Sequence, residues 1–132
     1  MKAPVTFPDP EREVRDFLAP LLPGVTVMVG VPADWTPEAG PHLQVATDGM
    51  FMAGFPVYGE ATVRLVAWAA GPTAAKALVQ EAQGRLLAHT GGGAIARTRP
   101  LTGVLPSRDF QTNAEQAAVT VRVTLRSVPL PA

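Results

Sequence analysis

Residues 117–128 read AAVTVRVTLRSV, and their alternation decides the fold. Val119, Val121, Val123 and Leu125 fall on one side of an extended chain, and Thr120, Arg122, Thr124 and Arg126 on the other. A strand buried on both faces would be apolar throughout. Strict alternation marks an antiparallel strand with one face packed and the other wet or against a partner. Working back from this strand, AIARTR at 94–99 alternates in the same way. In EATVRLVAWA at 60–69, Thr62 and Arg64 oppose Val63 and Leu65. HLQVAT at 42–47 is a short strand with Leu43 and Val45 on one side, and VTVMVGV at 25–31 is β-branched with period two.

Two segments carry helical periodicity instead. Val14, Phe17, Leu18, Leu21 and Leu22 follow an i, i+3, i+4, i+7 pattern, after Asp9 as N-cap candidate and Pro10 at the first helical position. Pro20 tightens or kinks the last turn of this helix, and Pro23-Gly24 ends it. The second helix opens at Gly71-Pro72-Thr73, carries the stripe Ala75, Leu78, Val79, Ala82 and Leu86, and ends at His89-Thr90 before three glycines. The expected architecture is α+β: a mainly antiparallel sheet of about five strands with two helices on its apolar face, in the order α-β-β-β-α-β-β. The 132 residues fit one domain, with 1–8 as an N-terminal extension and 129–132 as a C-terminal tail.

Composition narrows the function classes. Apolar residues make up 47% and charged residues 17%, where a quarter is usual, so a monomer would expose much apolar surface and a permanent oligomer would not. The formal net charge is zero, which argues against a dedicated nucleic-acid binder and leaves little self-repulsion to oppose association. With no cysteine there is no disulfide framework, thiolate zinc site or cysteine nucleophile. MKAPVTFPDP at the start lacks the apolar core of a secretion signal, and the longest clean apolar run, LVAWAA at 65–70, is too short to span a bilayer. A soluble protein made in the cytoplasm is expected.

Catalytic candidates are thin. Ser107 with His42 or His89 and Asp109 is the only nucleophilic set on offer, and no G-x-S-x-G turn surrounds Ser107. His89 reads as a charge partner for the dipole at a helix C-terminus, and His42 beside Pro41 as a strand-edge residue. HTGGGA at 89–94 runs from helix to strand, whereas a phosphate-binding loop runs from strand to helix and carries GK[ST]. Neither enzyme chemistry, nor a metal, nor a cofactor is expected. Arg97, Arg99, Arg108, Arg122 and Arg126 gather in the last third, while acids dominate residues 9–16. They are either ordinary solvated strand faces or a polar sheet face that pairs with acidic surfaces of neighbouring copies.

The loops carry the remaining signal. GMFMAGFPVYGE at 49–60 is too broken by Gly49, Gly54, Pro56 and Gly59 for a core strand and too apolar for a solvated turn. A glycine-hinged loop with such groups reads as an interaction site, with Phe51, Met52, Phe55 and Tyr58 as partner-facing anchors. The alternative is that it folds back on its own core. The long connection at 100–116 is a second reaching loop, where Arg108 and Asp109 assist.

From the order of its elements, the chain resembles the tail terminator (tail completion) proteins of long-tailed bacteriophages, especially the type common in phages of GC-rich bacteria. The residues that carry the resemblance are EREVRDFLAPLLPGVTVMVGVPADW at 11–35, ATVRLVAWA at 61–69 before an alanine-rich helix, VLPSRDF at 104–110, and the last strand at 117–128. It spans roughly residues 9–128, and the spacing of individually generic motifs carries it. GMFMAGFPVYGE departs from the family by its Met and aromatic content, which makes its contact particular to this protein. The resemblance implies a structural virion protein without cofactor. Its copies, usually six, would form a ring that caps the tail tube, joins it to the head–tail connector and lets DNA pass through its lumen. Such a protein is assembled in the host cytoplasm and resides in the virion tail or neck. The alternatives are a neighbouring neck or head–tail connector protein and, from another class, a dimeric α+β ligand-binding domain with a pocket between sheet and helices.

Overall fold

The computed structural model describes residues 3–30, 34–108 and 114–131. Its strands are β1 (Val5–Thr6), β2 (Thr26–Met28), β3 (His42–Gly54), β4 (Tyr58–Ala69), β5 (Ile95–Pro100), β6 (Leu105–Arg108), β7 (Glu115–Arg126) and β8 (Val128–Pro129). Its helices are α1 (Pro10–Leu18) and α2 (Pro72–Leu87). The class is α+β with two helices and a mostly antiparallel sheet. The sheet differs from the expected one in having more strands and a different order.

The main sheet runs β2-β3-β4-β7-β5, and β6 lies beside β5 along the same edge of β7. β5 pairs with the second half of β7 and β6 with the first half, so the expected long loop at 100–116 contains a strand. β2 is parallel to β3, an exception to the antiparallel pattern, and is shorter than the expected strand at 25–31. Val31 lies outside the described residues. β1 and β8 form a separate two-stranded ladder, which ties the expected N-terminal extension to the end of the chain.

The helices cover one face of the sheet. Asp9 caps α1 by accepting the Glu11 N–H at 3.0 Å, and the turn through Pro20 tightens into a 3-10 helix at Ala19–Leu21. A nine-residue helix is marginal alone, so burial of Val14 and Leu18, with Leu22 just beyond, is what holds it. α2 inserts Ala75, Val79, Ala82 and Leu86 opposite Val63, Leu65, Val119, Val121 and Val123. Small residues at two of the four positions let the helix approach the sheet closely. Each fully buried Val or Leu of this core contributes about 1.5–3 kcal/mol.

The other face is not uniformly wet. At the β4 C-terminal end, Trp35, Val66, Trp68 and Ala114 form a second, smaller core. The Trp35 and Trp68 rings meet edge to face with centroids 5.8 Å apart, and Trp35 Nε1–H donates to Gly40 O at 2.9 Å. Residues 35–40 of the proline-rich connection after β2 therefore act as a cover, and the apolar run 65–69 is buried from both sides.

Candidate functional site

The segment 49–60 is a β-hairpin tip, not a loop. β3 continues through it to Gly54, and β4 begins at Tyr58. Two of the glycines that read as strand breakers, Gly54 and Gly59, serve close packing instead. A Cβ on Gly54 would lie 2.8 Å from the Tyr58 Cβ, and one on Gly59 would lie 3.0 Å from Met50 Cε and 3.2 Å from the Phe7 ring. Backbone bonds from Phe55 N–H to Met52 O (3.0 Å) and from Val57 N–H to Gly54 O (2.9 Å) close the turn.

A bulge at Asp48 decides which way the tip side chains point. Thr47 pairs with Val63 but Gly49 pairs with Thr62, so the alternation of β3 shifts by one residue. Met50 then pairs with Ala61 on the helix side, and Phe51 pairs with Glu60 on the helix-free side. The four expected anchors all lie at the tip, divided between its two sides. Phe51 (50% exposed) and Tyr58 (44%) face away from the helices, and Met52 is 52% exposed. Phe55, also 52% exposed, meets Phe7 edge to face at 6.4 Å. Val57, at 56%, belongs to the same tip but was not among the four expected anchors.

Beside the tip, the helix-free face carries five arginines: Arg64 on β4, Arg97 and Arg99 on β5, and Arg122 and Arg126 on β7. Glu60 stands among them, 3.4 Å from Arg122 Nη1 and 4.0 Å from Arg97 Nη2. The Arg122 guanidinium carbon lies 5.5 Å from the Phe51 ring centre, a cation–π contact that joins the apolar tip to the basic face. Arg64 pairs with Asp48 of the bulge at 3.4 Å. Arg126 Nη1–H donates to Gly93 O at 2.6 Å. Tyr58, Ala96, Arg97, Thr124 and Arg126 line a cleft of about 260 Å³ at this end of the sheet. Arg64 was missed as a member of this group because it lies outside the last third of the chain, where the other arginines gather, although its alternation with Val63 and Leu65 had already placed it opposite the apolar side of its strand.

Arg108 does not join the tip. It sits on β6 opposite Glu115 and forms an ion pair with that residue. Tyr58 pairs with Arg126 at the far end of β7, which puts Arg108 roughly 35 Å from the tip at about 3.3 Å per residue. It helps line a second cleft, of about 270 Å³, with Trp35, Pro37 and Ala114. Asp109 lies outside the described residues. Neither cleft lies between the sheet and the helices.

The groups weighed for catalysis are apart. Ser107 Oγ–H donates to Gln116 Oε1, and three strand spacings of about 4.8 Å each separate Ser107 from His42. His42 is an interior residue, flanked by β2 and β4, with Nε2 at 2.6 Å from Met28 Sδ. His89 is not the charged dipole partner expected from its position. Its Nδ1 accepts the Gly91 N–H at 2.8 Å, and its ring packs on Phe17 with centroids 4.6 Å apart. Burial, together with the charge of Arg126, pushes its pKa below the ordinary histidine value, and burial alone does the same for His42. Among the described residues no cluster of three His, Asp or Glu is placed to hold a metal, and no helix is long and apolar enough to cross a membrane. No protein-family model matches the chain, and no curated protein matches it.

Proposed function

We propose that this chain is a structural protein that works as an assembled ring at the end of a phage tail tube, as a tail terminator. It binds the tube on one side and the head–tail connector on the other. One observation carries the reading: large apolar side chains, from Met50 to Tyr58, stand exposed together on a single hairpin tip. Apolar side chains exposed together in this way, on a chain with 17% charged residues, favour a surface that another protein covers. The sequence resemblance supplies the kind of assembly, a ring of six copies with DNA passing through its lumen. The near-neutral charge suits a lumen that does not retain DNA.

Native mass spectrometry across a concentration series, alone and with the tail-tube protein, tests the proposal. A hexamer-sized species, alone or on tube ends, is the expected result. A monomer or dimer that ignores the tube at every concentration would refute it. The pair Phe51→Ser and Phe55→Ser should fold as the parent does and fail to assemble.

A further inference from the structure

We infer that the arginine face of the sheet docks the acidic side of α1 from a second copy of this chain. This rests on the ring reading above and specifies which surface meets which. The face carries Arg64, Arg97, Arg99, Arg122 and Arg126 against Glu60 and Asp48, a surplus of three positive charges. Because the chain is neutral, an equal negative surplus lies elsewhere. Its densest part is α1 with its cap, where Asp9, Glu11, Glu13 and Asp16 outnumber Arg12 and Arg15.

α1 packs on the opposite side of the sheet, through Val14 and Leu18. Two complementary surfaces on opposite sides of one sheet cannot satisfy each other reciprocally in a two-fold dimer. They join copies head to tail, and such a contact closes into a ring or continues as a filament. Within α1, Asp9 is engaged with the Glu11 N–H, and Glu11 Oε1 accepts the Thr47 N–H at 2.9 Å. Among the described residues, Glu13 and Asp16 are the carboxylates left to reach outward, Asp16 with only its neighbour Arg15 at 3.1 Å.

Among the described residues, the cleft between Tyr58, Arg97, Thr124 and Arg126 has no carboxylate in its lining. A carboxylate entering it would accept two parallel hydrogen bonds from the Arg97 guanidinium and one from a Tyr58 or Thr124 hydroxyl. Arg97 is free to respond, with its side chain 62% exposed and its contact to Glu60 stretched to 4.0 Å. Separate carboxylates fit this face better than a continuous phosphate chain, since Glu60 and Asp48 interrupt the positive charge.

Sedimentation velocity of the full chain over a concentration series tests the assignment with three variants. Arg97→Glu with Arg99→Glu should weaken self-association about tenfold or more, as should Glu13→Arg with Asp16→Arg. The four changes combined should recover most of the loss, an outcome that a purely structural role for these residues does not produce. Arg97→Gln, which removes the charge without reversing it, serves if a reversal disturbs folding. If the reversals assemble like the parent and still cap tubes, the docking assignment fails and the terminator reading stands. A chain that stays monomeric with and without tube protein overturns both. If Arg97→Glu with Arg99→Glu abolishes binding of a labelled single-stranded oligonucleotide yet leaves assembly unchanged, the face is a nucleic-acid surface and the inference is overturned.

Discussion

Gly54 and Gly84 show how one residue type takes opposite roles. At Gly54 the missing Cβ leaves room for Tyr58, whose own Cβ would lie 2.8 Å away from an added one, with the Tyr58 O at 3.0 Å. Gly54→Ala should therefore cost about 1–3 kcal/mol, because the obstacle is backbone and Cβ that cannot swing aside. Gly84 sits inside α2 with nothing within 4 Å of an added Cβ, and Gly84→Ala should stabilise by about 0.5–1 kcal/mol. Paired urea melts check both signs. His89 supplies a pH effect at the same scale. Its folded pKa lies below 6.5, so the unfolded chain binds more protons in acid. The contribution of neutral His89 is complete above about pH 6.5 and is lost as pH falls through the lowered folded value. His89→Asn keeps an acceptor for the Gly91 N–H and removes the titration. It should reduce the drop in Tm between about pH 7.5 and pH 5, and an unchanged drop would place the proton uptake elsewhere.

At the scale of elements, β4 and β7 are the rigid centre and the β3–β4 tip is what they display. Leu65, fully buried between α2 and the sheet, should cost about 2–5 kcal/mol when changed to Ala, read from chemical melts. Phe51 and Phe55 are each half exposed, so serine at both should leave the melt within a fraction of that cost while association is lost. An unfolded double variant would mean that the tip belongs to the core. The bulge at Asp48 is the hinge of this display, because one extra residue turns Phe51 from the helix side to the arginine side. That placement was not legible in the sequence. Gly49 and Gly54 looked like interruptions because glycine seldom favours a strand interior, and only the register shows that one follows a bulge and the other admits Tyr58. The capped start of α1 was legible, since Asp9, Pro10 and the apolar spacing act locally and agree with one another.

For the whole molecule, the two contact surfaces proposed above obey different physics. The arginine face attracts through charge, which salt screens over about 10 Å at 0.1 M, whereas the apolar tip buries area that salt does not screen. Self-association should accordingly weaken as sodium chloride rises from about 0.05 to 0.5 M without vanishing, followed by light scattering at fixed protein concentration. Complete insensitivity to salt would remove the arginine face from the contact. Complete loss would leave the tip without a part in it.

Local patterning along the chain is enough to set the class of the fold. Period-two strands at 60–69 and 117–128, and 3.6-residue stripes on two helices, each state locally which side is buried, and all of them call for one shared core. It also singled out the apolar groups at residues 50–58, and left open whether a partner or their own core covers them, where the structure leaves them exposed. Strand order and register, visible only in the folded chain, bring Arg64, Arg97, Arg99, Arg122 and Arg126 onto one face and set Arg108 at the other end of the sheet. The tertiary structure alone brought Trp35 over Trp68 and seated β6 beside β5. The reason is the same in each case. Periodicity records which side of its own strand a residue occupies, while neighbours across a sheet depend on strand order and register, which long-range pairing sets.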